Sequence, residues 1–243
     1  MEDFRQKGRF LAGGHMTDTP ATITYYSVIS RDTVRIALTL VDLNYLEVKR
    51  ADIENAYLTA LVIENIWYIL GPEFVNDDGK KSIVVRVIYG LKYSGVAFRG
   101  HLAYCMRHLG WEYWKVDQDI WMKPEILPAD GFKYYACVLM YVDDILVVHH
   151  QAENALKEID HFFKMKPGSI DDPDFYLRDK ISWIVFPNGV VDWNMSSKKY
   201  IQSAVQNVRE YLNKNSCYSM LKRAPSPFLS EFKYDIDFST ALE

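Results

Sequence analysis

The sequence predicts an α+β domain. β-type runs come as neighbouring pairs around turn residues, and helical stretches fall between those pairs without a regular strand–helix–strand alternation. That order disfavours a doubly wound parallel sheet. The length of 243 residues, with 49% hydrophobic and 25% charged side chains, suffices to bury a core in a soluble globular chain.

The elements follow in order. Residues 1–29 read as extended segments around a turn at Gly13-Gly14. Ser30 caps a helix running to about Glu47, with Val34, Ala37, Leu38, Val41, Tyr45 and Leu46 at helical spacing. A strand through Val48 into Asp52 comes next, then a short helix or turn from Asn55. Ile66–Leu70 reads as a strand stopped by Gly71-Pro72, and Ser82–Ile88 as a second β-branched run. Ser94–Leu109 is a helix with Gly110 at its C-terminal cap. Residues 134–148, YYACVLMYVDDILVV, read as a tight hairpin, and Ala152–Phe163 as an amphipathic helix. Two β-type runs around Pro187-Asn188-Gly189 form a second hairpin over residues 181–195. Ser196 or Ser197 caps a last helix through about Leu212, with Ile201, Ala204, Val205, Val208 and Leu212 on one face. The tail from Ala224 is irregular and Pro-rich.

Charge and cysteine content narrow the function. A net charge of −4 lacks the basic footprint of a simple nucleic-acid binder. An acidic catalytic cleft beside basic strips reconciles the two. Such strips occur at Arg5, Lys7 and Arg9, at Lys80, Lys81 and Arg86, at Lys198 and Lys199, and at Lys222 and Arg223. Aromatic residues make up 14% of the chain and serve either as core or as platforms for bases. Cys105, Cys137 and Cys217 lack the spacing of a zinc site or a disulfide framework, so a reducing compartment is expected. The opening MEDFRQKGRF has no apolar stretch of a secretory leader, and no run reaches membrane-spanning length. A cytoplasmic location is expected, in virus-like particles or extending to the nucleus.

Three aspartates are the candidate chemistry. Asp143 and Asp144 are adjacent carboxylates between apolar strands, costly there unless water, a hydrogen bond or a cation receives them. They read as a solvated turn or as a metal site. Because neighbouring strand residues point to opposite faces, one would bind a cation directly and the other would support it. Asp52, at a strand end before a helix start, reads as a helix cap or as a third carboxylate aimed into a cleft. Mg²⁺ suits such hard oxygen ligands, completed by phosphate and water.

The combination resembles the reverse transcriptases of copia-type retrotransposons. Tyr141-Val142-Asp143-Asp144 is similar to their signature box, and Ala51-Asp52-Ile53-Glu54-Asn55-Ala56-Tyr57-Leu58 to their first aspartate motif. Ile88-Tyr89-Gly90-Leu91-Lys92 resembles the LYGLK box peculiar to copia-type elements. Gly71-Pro72-Glu73-Phe74, Asp119-Ile120-Trp121, Ser197-Lys198-Lys199-Tyr200-Ile201 and the opening Lys7-Gly8-Arg9-Phe10-Leu11-Ala12 match further segments in the same order. The resemblance implies a right-hand polymerase fold, with fingers and palm (an antiparallel sheet packed on helices) over about 1–195. The start of a thumb would span about 196–223, and residues 224–243 would form an irregular tail.

It also implies an RNA- and DNA-templated DNA polymerase, with Asp52, Asp143 and Asp144 holding two Mg²⁺ ions, or Mn²⁺ in their place. Tyr57, Gly90, Lys92, Lys7 and Arg9 fall at nucleotide-contacting positions. Tyr57 reads alternatively as a core tyrosine, Gly90 as a plain turn, and Lys7 and Arg9 as a basic surface strand. Implied partners are a template with annealed primer, deoxynucleoside triphosphates, and RNase H and integrase domains of the same polyprotein. One departure stands out. Arg178 follows Leu177 where the family has glycine, and a positive φ or a close backbone approach there would disfavour a side chain. A silent or co-opted remnant that only binds nucleic acid is the alternative reading.

Overall fold

A computed structural model of the chain describes residues 11–16 and 27–214. Lys7, Arg9, Cys217 and the tail from Ala224 lie outside the described residues. By internal contacts the chain divides into residues 1–199 and residues 200–243.

Helix α1 spans Arg31–Asn44. The Thr33 N–H donates to Ser30 Oγ at 3.1 Å, the expected cap, and Val34, Ala37, Leu38 and Val41 are buried along one stripe. The helix does not reach Glu47. Tyr45 takes φ 51°, and the Leu46 N–H closes back onto the Val41 carbonyl at 3.0 Å. This left-handed ending keeps Leu46 buried and turns Tyr45 out to 93% exposure. Residues from Glu47 are thereby freed for β1, Glu47–Asp52. A short 3-10 turn, Ala56–Thr59, follows. It ends by Ala60, because the Val62 N–H pairs with Val85 O and the Val87 N–H with Ala60 O. That pairing also shortens the second expected β-run. Only Trp67–Ile69 (β2) and Lys81–Ile83 (β3) form a hairpin.

Helix α2 is Ser94–His108, with Gly110 at φ +82° just beyond it. Next come β4, Glu112–Tyr113, and β5, Ile120–Ile126. The expected hairpin follows as β6, Lys133–Tyr141, and β7, Asp144–His149. Helix α3 covers Ala152–Asp160 and ends before Phe163, with the Phe162 N–H on the Ile159 carbonyl at 3.0 Å in a tighter last turn. The remaining strands are β8, Phe175–Tyr176, β9, Asp179–Val185, and β10, Val191–Ser196. Gly189, at φ +80°, makes the Asn-Gly turn between β9 and β10. Helix α4, Lys198–Lys214, starts with the Lys198 N–H on Ser196 Oγ at 3.3 Å.

Among the described residues the three sheets pair antiparallel, and Leu11 meets Tyr89 in an isolated parallel bridge. The largest has the order β1-β7-β6-β5-β4, and β10-β9-β8 form a second sheet. Residues 136–140 of β6 and 145–148 of β7 are buried without alternation, so both faces of the central hairpin are covered. Helices α1 and α3 pack on β1 and β7. A separate small cluster gathers Ala60, Val87, Leu91, Tyr93 and Ala97, and Tyr57 touches both it and the main core.

Candidate active site

The sheet register sets the position of the three aspartates. Asp52, the last residue of β1, lies directly opposite Asp144, the first residue of β7. Asp144 in turn pairs with Tyr141 at the end of β6, which leaves Val142 and Asp143 as a two-residue turn. Val142 has φ 55°, an unusual value for a β-branched residue and a mark of a tightly determined turn. The Ile53 N–H donates to the Asp143 carbonyl at 2.7 Å and ties the turn to the chain leaving β1. Adjacent strand side chains would point to opposite faces, but Asp143 belongs to the turn, so that expectation does not apply. The Asp144 carboxyl lies next to the Asp52 carboxyl across the ladder. Lys166 Nζ lies 3.7 Å from Asp52 Oδ1 and 3.5 Å from Asp143 Oδ2.

Crowding has an electrostatic consequence. Burial, the hydrogen bond with Asp52 and the charges of Asp143 and Asp52 push Asp144 up to about 7, while Lys166 pulls the other way. Among the described residues, no group of three or more His, Cys, Asp or Glu side chains is arranged to hold a metal ion. The three aspartates are an open group of hard oxygens, and two of them, Asp52 and Asp143, share the Lys166 ammonium. Such a group suits a cation that takes one or two protein carboxylates and completes its shell with phosphate and water.

The residues at expected nucleotide positions divide. Tyr57 sits half-buried in the 3-10 turn after Asp52, with edge-on ring contacts to Tyr89 at 4.8 Å and Phe98 at 5.9 Å. Gly90 has φ +93°, and a Cβ there would strike the carbonyl of Ala12, whose N–H donates to Tyr89 O at 2.8 Å. The backbone that approaches Gly90 most closely is the chain's own, at Ala12. Lys92 is half-buried two residues further on.

Lys166 and Ser169 escaped the sequence reading. Their available signal is the run Lys166-Pro167-Gly168-Ser169, in which Pro followed by Gly marks a type II turn. Gly168 has φ +71°, and the Ser169 N–H closes the turn on Lys166 O at 3.0 Å.

Arg178 lies in the left-handed region on which its expectation rested. Leu177 has φ 52° and Arg178 φ 65°, and they form a two-residue turn between Tyr176 and Asp179, which pair across it. Asn-Gly suits such a turn. Here the turn is held by Asp179, 1% exposed, on Arg31 Nε at 3.0 Å, and by the Tyr176 hydroxyl on Leu139 O at 3.1 Å. A left-handed residue with a Cβ costs roughly 1–2 kcal/mol, and glycine gives back roughly 0.5–1 kcal/mol in unfolded-chain entropy. Arg178→Gly is therefore expected to stabilise the protein and to raise its thermal midpoint by about 2 °C, with primer extension improved where the parent is weak. A midpoint that stays put or falls would show that the turn carries no strain.

A protein-family model described as reverse transcriptase (RNA-dependent DNA polymerase) matches residues 1–222. No curated protein matches the chain.

Proposed function

Because the chain belongs to the reverse transcriptase (RNA-dependent DNA polymerase) family, we propose that it is the polymerase domain of a copia-type retrotransposon. It adds deoxynucleotides to a primer annealed on an RNA or DNA template. The observation that carries this reading is the register of β1 on β7, which sets Asp52 against Asp144 beside the Asp143 turn. The IYGLK run at Ile88–Lys92 supports the copia-type assignment. In this reading the five-stranded sheet with α1 and α3 is the palm. The β2–β3 hairpin and the small cluster around Val87 belong to the fingers, which would place the thumb start at about 196–223. Template–primer, deoxynucleoside triphosphates and polyprotein RNase H and integrase domains are the partners, in the cytoplasm or in virus-like particles.

Asp52, Asp143 and Asp144 would hold two Mg²⁺ ions. When bound, these ions neutralise the triphosphate and make the primer 3′-hydroxyl easier to deprotonate. The chain's own contribution is positioning. The β1–β7 ladder holds two of the carboxylates, and the bond between Ile53 N–H and Asp143 O holds the third. Lys166 offsets part of their mutual repulsion. A nucleic-acid-binding remnant without activity is the second reading, favoured by the left-handed Arg178 turn.

Two measurements test the proposal. Primer extension on a homopolymer RNA template with Mg²⁺ or Mn²⁺ is expected to give product, and a folded protein that binds template–primer without extending it would favour the remnant. The second is thermal denaturation with and without Mg²⁺. Asp144 is raised above its ordinary carboxyl value of 3.8, so its contribution to stability is complete at acid pH and is lost as pH rises through about 7. Above that pH its charge stands beside Asp52 and Asp143, and a divalent cation is expected to restore stability. Mg²⁺ should therefore raise the midpoint at pH 8 and do little at pH 5. The same response at both values would remove these carboxylates as the cation site.

A further inference from the structure

Strand β1 is an edge of its sheet, and its outward backbone groups must find partners or water. The segment from Lys164 to Asp171 supplies them. The Arg50 N–H donates to Asp171 O at 2.9 Å, and the Asp171 N–H returns a bond to Arg50 O at 3.1 Å. The Glu54 N–H donates to Lys164 O at 2.7 Å, and the Lys166 N–H to Asp52 O at 2.8 Å. Ion pairs from Lys49 to Asp172 at 2.8 Å and from Arg50 to Asp174 at 3.0 Å fasten the far end. Along this edge the Asp52 N–H differs, because it meets a side chain. It donates to Ser169 Oγ at 3.1 Å, and the Ser169 hydroxyl lies 3.4 Å from the Asp52 carbonyl, which accepts from it.

The turn explains why a hydroxyl stands here. The type II turn at Pro167-Gly168 bends the strap away from β1, and the Ser169 N–H is spent in closing that turn. A serine oxygen accepts and donates at once, so one side chain takes up the Asp52 N–H and adds a second, longer bond to the Asp52 carbonyl, which already accepts from the Lys166 N–H. The same four residues bring Lys166 Nζ to Asp52 Oδ1 and Asp143 Oδ2. Asp52 ends its strand, where fraying is easiest.

We propose that Ser169 is a positioning residue for the Asp52 carboxylate. By clamping both main-chain groups of Asp52 it fixes the direction of that side chain and so sets the affinity of the aspartate group for a divalent cation. The proposal rests on the cation-site reading of Asp52, Asp143 and Asp144 given above. Ser169 itself touches neither cation nor nucleotide.

The test is Mn²⁺ binding by the full chain, followed by electron paramagnetic resonance, with wild type, Ser169→Ala, Ser169→Thr and Asp52→Asn compared. Ser169→Ala is expected to weaken Mn²⁺ binding by about tenfold, the usual scale for a residue that orients a ligand. Ser169→Thr, which keeps the hydroxyl, should restore it. Hydrogen exchange at the Asp52 amide should be faster in the Ala variant alone. In extension assays the half-saturating Mg²⁺ concentration should rise while KM for the nucleotide holds. Ser169→Cys is close in size with a weaker hydrogen-bonding group, and it should lose affinity even if the Ala protein does not fold. Wild-type Mn²⁺ affinity in the Ala or Cys protein, with binding lost in Asp52→Asn, would overturn the role of Ser169 and leave the cation site standing. Wild-type affinity in Asp52→Asn would overturn the cation site, and the proposal with it.

Discussion

Asp143→Asn is expected to lower nucleotide addition by more than about a hundredfold while the protein stays folded. A hundredfold corresponds to roughly 2.7 kcal/mol of lost transition-state stabilisation, a modest demand for a carboxylate that would hold a catalytic ion. The fold should survive for local reasons. Asp143 lies in the turn, its side chain is 39% exposed, and the bond that ties the turn to Ile53 uses the main-chain carbonyl, which asparagine keeps. The amide fills the same space, so Val142 keeps its surroundings. Lys166 retains Asp52 as a partner at 3.7 Å. Single-turnover extension measures the effect, with circular dichroism and thermal denaturation as folding controls. Extension near the wild-type rate by a folded variant would refute the assignment of Asp143.

Legibility of this fold in the sequence follows the range of the interactions. The β6–β7 hairpin was readable because its apolar runs are long and two adjacent charges, Asp143 and Asp144, separate them. The start of α1 was readable because a serine cap acts within three residues. The β9–β10 turn was readable because Asn-Gly suits few other conformations. What escaped depends on partners distant in the chain. Strand β5 contains Pro124, which argues against a strand. It survives because β4 pairs only with Trp121 and Met122, so Pro124 lies on an open edge. The end of α1 answers to the pairing of Glu47 with His149, about a hundred residues away. At the site, the aspartates were readable as motifs, whereas Lys166 and Ser169 lie in a turn whose sequence announces its shape but not its neighbour.

Tyr57→Ala is expected to erode discrimination against ribonucleotides by about a hundredfold, the scale on which a shaped pocket rejects one extra small group. Tyr57 lies five residues after Asp52, and the resemblance to reverse transcriptases implies at this place an aromatic ring beneath the incoming sugar, where it would clash with a 2′-hydroxyl. Its packing allows such a role. Edge-on contacts with Tyr89 and Phe98 hold the ring, and its half-buried state leaves part of its surface open. The same contacts give it a share in both apolar clusters, so truncation is also expected to cost about 2 kcal/mol of stability. The two effects separate by substitution. Tyr57→Phe keeps the ring and should keep both packing and sugar discrimination. Tyr57→Ala should lose both while it still incorporates deoxynucleotides. The decisive quantity is the ratio of kcat/KM for a deoxynucleotide to that for its ribonucleotide, measured below the thermal midpoint of the Ala variant. An unchanged ratio in a destabilised protein that still polymerises would make Tyr57 a packing residue between Tyr89 and Phe98 and leave sugar selection to another side chain.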